Sequence, residues 1–151
     1  MTTTPNDTTV TREGIGELLG RAESATVVAL ADRCLAEVDQ TDIRVVRPAE
    51  VGVVAMQVRD PIGHDRFLLA DLLVTTAEVE IAGTRGWAMR QGHDPAGAWA
   101  QAVCDAEVAR RGPHLAEVVG HCRTRSSELA AARAEEWARL APTIVEFEEI
   151  L

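Results

Sequence analysis

Residues 43–91 read IRVVRPAEVGVVAMQVRDPIGHDRFLLADLLVTTAEVEIAGTRGWAMRQ, and this stretch decides the fold. It is rich in β-branched residues and broken by short turn strings. Ile43, Val45 and Val46 form a short strand that stops at Arg47-Pro48, because Pro has no N–H to give a ladder. A second strand follows over Val51–Arg59, with Val54, Met56 and Val58 alternating against Val53, Ala55 and Gln57. Asp60-Pro-Ile-Gly63 is turn chemistry. Phe67–Ile81 then reads as one long or broken strand, and Ala82-Gly83-Thr-Arg-Gly86 turns the chain into a last strand, Trp87–Gln91. Three or four consecutive strands joined by such short turns predict an antiparallel meander, since parallel crossovers need a dozen or more residues.

Helical texture flanks this block on both sides. Thr11–Arg21 is a short helix interrupted by Gly14, Gly16 and Gly20. Its glycines lack the preceding strand and the third-glycine spacing of a phosphate cradle. Ser24 is placed to cap a second helix through about Val38, with Val27, Ala31, Cys34 or Leu35, and Val38 on one face. After the strands, Asp94-Pro95 is a strong helix start: Asp caps free N–H groups and Pro at the first position gives up no bond. That helix runs to Arg110-Arg111 and ends at Gly112-Pro113, with a predicted buried face of Trp99, Val103 or Ala102, Ala106 and Val108. His114–Leu140 continues as helix with a narrow stripe of Ala130, Ala134, Trp137 and Ala141, and Pro142 breaks it before the closing Ile144–Leu151. The order predicts an α+β fold: a single domain in which N-terminal and C-terminal helices pack against an antiparallel β-meander. Residues 1–10 read as a disordered, Thr-rich tail and residues 11–151 as the domain, with no internal repeat or linker.

The 151 residues carry 15 basic and 24 acidic side chains, a net charge of −9, and all 15 basic residues are Arg. This apolar content excludes a disordered chain, and the negative balance argues against nucleic acid as the main partner. The N-terminus has no secretory pattern and no apolar run approaches the ~20 residues of a membrane span, which points to the cytoplasm and no membrane partner. Cys34, Cys104 and Cys122 are spaced unlike a disulfide framework or a zinc knuckle and read as free thiols of a reducing compartment. Five aromatics, Phe67, Phe147, Trp87, Trp99 and Trp137, leave a core of Ala, Val and Leu that is thin for a free-standing catalyst.

Two clusters are candidates for interface or ligand contact, with no catalytic residue and no metal ligand set among them. In Arg47-Pro48-Ala-Glu50-Val-Gly52, the Arg fork is suited to a phosphate oxygen or a partner carboxylate, and the competing reading is a tight turn with a surface ion pair. In Gln91-Gly92-His93-Asp94, a His beside an Asp opens a helix, which fits a general base next to an anion site. Asp94 is already accounted for as a cap, and that role competes with anion binding. The His64 turn, Asp60–Arg66, is solvated and carries no chemistry.

The ordered series Arg47-Pro48-x-Glu50-x-Gly52-x-Val54-x-Met56, Arg59, Phe67-x-Leu69-x-Asp71, Val74-Thr75, Gly92-x-Asp94, Ala102–Ala106 with Asp105, and Val145-Glu146-Phe147 resembles PhnG, a small subunit of the bacterial carbon–phosphorus (C–P) lyase system, across residues 11–151. His93 stands where that family tends to have Arg, Ala70-Asp71 where it favours Gly-Glu, and Glu146-Phe147 where it favours Asp-Phe. The acid exchanges keep charge, whereas a permanent five-donor fork becomes a titratable ring at His93. The resemblance implies an architectural subunit of a hetero-oligomer with PhnH, PhnI and PhnJ types. That complex transfers a phosphonate onto ATP with release of adenine, giving a ribose 1-phosphonate 5-triphosphate, with catalysis in a partner. Arg47, Glu50, Gly52, Arg59, Gly92, His93 and Asp94 are then its interface or ligand contacts. No cofactor is expected on this chain; the iron–sulfur cluster and S-adenosylmethionine belong to the PhnJ type, since three Cys cannot hold a four-Cys cluster.

Overall fold

The computed structural model describes residues 11–145, so the predicted tail at 1–10 and the Glu146-Phe147 pair lie outside the described residues. Its order is α1 (Arg12–Gly20), α2 (Ser24–Leu35), a 3-10 turn at Gln40–Asp42, β1 (Ile43–Arg59), β2 (Arg66–Ile81), β3 (Thr84–Gln91), α3 (Pro95–Arg110), α4 (Leu115–Leu140) and a closing 3-10 turn (Ala141–Thr143). The three strands form one antiparallel sheet in the order β1-β2-β3, with helices before and after it. This is the α+β meander expected from the strings.

The first strand departs from expectation. Arg47-Pro48 does not end it; β1 runs unbroken for 17 residues. Pro48 falls within the irregularity between Arg47 and Glu50, and β1 lies at the edge of the sheet. A bulge on an edge strand is where a missing N–H leaves no partner unsatisfied.

Helix α3 is the centre of the molecule. Sequence periodicity predicts one buried face, but no residue from Ala100 to Glu107 faces solvent: Ala100, Ala102, Val103, Cys104 and Ala106 are all buried, as are Gln101, Asp105 and Glu107. Trp99 and Val108, both expected on the inner face, are half-buried at its margins. The sheet covers one side of α3, and α1, α2 and α4 cover the rest. Its small side chains permit that enclosure. Gly86 of β3 lies so close that an added Cβ would collide with the Ala102 carbonyl and the Ala106 backbone.

The start of α2 also differs from expectation. Ser24 is its first helical residue and Glu23 its N-cap, and the Ser24 hydroxyl donates instead to Asp94 Oδ1 at 2.9 Å, tying α2 to the start of α3. The helix stops at Leu35, with Val38 packed against the core beyond it. In α4 only Val118 and Cys122 are buried, and Ala130–Leu140 stands exposed, Trp137 at 62%.

Candidate functional site

β3 pairs with β2 only from Val74 to Ile81. Beyond that rung the chain leaves β3 at Gly92, whose φ of +85° suits glycine and whose N–H donates to the Leu73 carbonyl at 2.8 Å. β1 and β2 continue without it as a two-stranded arm, Gly52–Arg59 against Arg66–Leu73, closed by a turn in which Asp60 accepts from Ile62 and Gly63 N–H. At ~3.4 Å per residue, the residues beyond Gly52 extend the arm about 24 Å past the sheet.

Both faces of the arm are apolar. The register places Val54, Met56 and Val58 beside Leu72, Ala70 and Phe67 on one face. It places Val53, Ala55 and Gln57 beside Leu73, Asp71 and Leu68 on the other, Leu69 being the extra residue at the Met56/Gln57 irregularity. Val53 is 65% exposed, Leu68 68% and Leu69 56%. An isolated two-stranded ribbon in water is marginal, and apolar residues on both faces are the pattern of strands covered on two sides. The signal was present in Phe67-Leu-Leu-Ala-Asp-Leu-Leu-Val74, a near-continuous apolar run, although the sequence reading named no partner-facing residue here.

The predicted site residues are spread along this frame rather than gathered. Arg47 pairs across to Glu78 and Glu50 to Thr76, on the sheet-borne half of β1. Gly52 opposes Val74 at the root of the arm, and Arg59 opposes Arg66 at its tip. The Val74 rung continues to Gln91, so the Gly92–Asp94 corner sits about 10 Å from Gly52, two strand spacings away. Arg59 lies a further seven residues out, roughly 24 Å. His93 is exposed at the corner.

Asp94 is committed to the fold. It accepts from Gly97 N–H at 2.9 Å, from Ser24 Oγ, and from Arg90 Nε at 2.8 Å, while its own N–H donates to Thr75 Oγ1. Burial raises its pKa, but the Gly97, Ser24 and Arg90 hydrogen bonds outweigh this and hold the carboxyl below the ordinary value. Arg90 is itself buried and donates to the Leu19 and Ala22 carbonyls, each at 2.7 Å, at the end of α1. One Arg–Asp pair therefore joins α1, β3, α2 and α3. Sequence reasoning missed Arg90; the clue was its place in step with Gly86 and Ala88 on a strand whose alternate residues are Trp87 and Met89.

The three thiols converge from α2, α3 and α4 and are all buried. The mutual interaction of the Cys34 and Cys104 thiols lowers the Cys34 pKa and raises that of Cys104, and burial pushes Cys122 up to about 11. Neutral thiols in an apolar core are poor nucleophiles. Among the described residues no group of three or more His, Cys, Asp or Glu is arranged to hold a metal, and no helix is long and apolar enough to cross a membrane.

No curated protein matches the chain. The family model described as phosphonate metabolism protein PhnG matches residues 10–151, covering the meander, its arm and the flanking helices. The chain belongs to the PhnG family.

Proposed function

We propose that this chain is an accessory, non-catalytic subunit of a cytoplasmic C–P lyase core complex. It supports transfer of a phosphonate onto ATP with release of adenine, alongside PhnH-, PhnI- and PhnJ-type subunits that supply the catalytic groups, the iron–sulfur cluster and S-adenosylmethionine. Membership of a phosphonate-metabolism family supports the pathway. The observation that carries the subunit role is the arm: about 24 Å of ribbon with apolar side chains on both faces, which is a surface built to be covered by other chains. The commitment of Asp94 to a cap and an internal ion pair supports an architectural role for the Gly92–Asp94 corner.

Co-expression with the neighbouring phosphonate genes and purification through a tag on this chain tests the reading. A stable complex carrying phosphonate-dependent adenine release from ATP is expected; recovery of the tagged chain alone and monodisperse would overturn it. Arg47→Ala in the reconstituted complex separates the competing role. Turnover lost with assembly intact would place Arg47 at the ATP or phosphonate site, and lost assembly would make its role structural.

A further inference from the structure

A groove of about 540 Å³ runs between α1, the edge of β3 and α3, well away from the arm. Its construction begins at the β3 edge, where Asp105 accepts from Trp87 N–H at 2.9 Å and holds the Arg12 guanidinium through two bonds of 2.8 and 2.6 Å. Arg12 in turn donates to the Arg85 carbonyl. Those contacts satisfy the edge and neutralise Arg12, so the cation on the rim is already spent.

What remains facing the groove is negative and aromatic. Glu13 and Glu17, one helical turn apart, line one side; Trp87 and Met89 line the other, with Trp87 52% exposed. Counting Arg12 and Asp105, the lining holds one cation against three carboxylates, and Glu17 also forms an exposed ion pair with Arg21 at 2.9 Å. Gln101 closes the floor: it is only 4% exposed, its Nε2 donates to the Gly16 carbonyl, and its Oε1 has no hydrogen-bond partner among the described residues. A half-exposed indole face beside two carboxylates has one complement. That complement is a planar cation rich in N–H donors.

We propose that this groove receives the guanidinium of an arginine side chain carried by a partner polypeptide, stacked on Trp87 and paired with Glu13 and Glu17. The groove is open along its length, which suits a side chain presented by another protein better than a small molecule that buries most of its surface. The source of the arginine rests on the subunit reading above; the guanidinium chemistry of the groove does not.

The test is a titration of the full chain with N-acetyl-arginine amide, following the indole N–H signals of Trp87, Trp99 and Trp137 by NMR, with Trp87→Phe assigning the Trp87 signal. N-acetyl-citrulline amide, of the same shape without the charge, is the control. The Trp87 signal should move saturably with the arginine probe, and Glu13→Gln/Glu17→Gln should weaken that binding at least threefold. In the reconstituted complex the same double substitution should weaken association of this chain about tenfold, the effect of losing a well-packed charged anchor. No movement of the Trp87 signal, equal movement with citrulline, or association unchanged by the double substitution overturns the proposal. A wild-type chain that joins no complex yet still takes the arginine probe overturns the subunit reading while leaving the guanidinium site standing.

Discussion

Arg90 is the side chain on which the packing of four elements depends. Its replacement by Met would leave the Leu19 and Ala22 carbonyls without this donor and take from the Asp94 carboxylate its charged partner, one of three donors. A loss of about 3 kcal/mol is expected in urea unfolding. Asp94→Asn is a gentler probe, because the amide still caps Gly97 but loses the charge facing Arg90. The folded pKa of Asp94 lies below its unfolded value of about 3.9. The stability it contributes is therefore fully present above that unfolded value and is lost as pH falls through the folded one. Urea midpoints measured from pH 7 to pH 2 should fall less steeply on the acid side in Asp94→Asn than in the wild type. Gly86→Ala tests the close approach of β3 to α3. The added methyl meets backbone rather than a flexible side chain, so a loss of about 2–3 kcal/mol is expected.

At the scale of elements, the arm and the helices have opposite relations to the core. The helices α1, α2 and α3 turn their apolar residues inward. The arm turns its own outward on two sides, and beyond Val74 it has no β3 neighbour. Charge placed on it should leave the isolated chain intact and affect only what covers it. Val53→Arg with Leu73→Glu, a facing pair made opposite in charge, is expected to change the unfolding free energy by no more than about 0.5 kcal/mol, while abolishing co-purification with partner subunits. Equal loss in both measurements would assign those residues to the chain's own stability. The exposed half of α4, with Trp137 and Leu140 exposed, is the second element whose apolar side chains find no cover among the described residues. The expected stripe of Ala130, Ala134 and Trp137 lies on this exposed half.

For the whole molecule, the small side chains of α3 have one structural cause. A helix enclosed on all sides must carry small side chains if a sheet and three helices are to reach it, and Ala98, Ala100, Ala102 and Ala106 are each at most 1% exposed. The same enclosure shelters the thiols, at 0–1% exposure for Cys34, Cys104 and Cys122. A thiol reagent should leave all three unlabelled in the native chain and modify all three in denaturant. Labelling that proceeds at the rate of global unfolding would show that α2, α3 and α4 open together.

The sequence by itself determined what local chemistry controls: turn strings between β-branched runs set an antiparallel meander, and Asp94-Pro95 set the start of α3 and the capping role of Asp94. It also carried the order of motifs that identifies the family. Tertiary structure decided what depends on neighbours distant in the chain. Pro48 breaks no strand because β1 is an edge, Ser24 serves Asp94 rather than its own helix, and Arg90 is buried because the carbonyls ending α1 arrive above it. The candidate site residues show the same division. Their types were legible, but only the strand register placed Arg59 at the tip of the arm, Gly52 at its root and Asp94 inside the fold. A side chain's environment is set by which elements cross it, and periodicity along one element carries no record of the others.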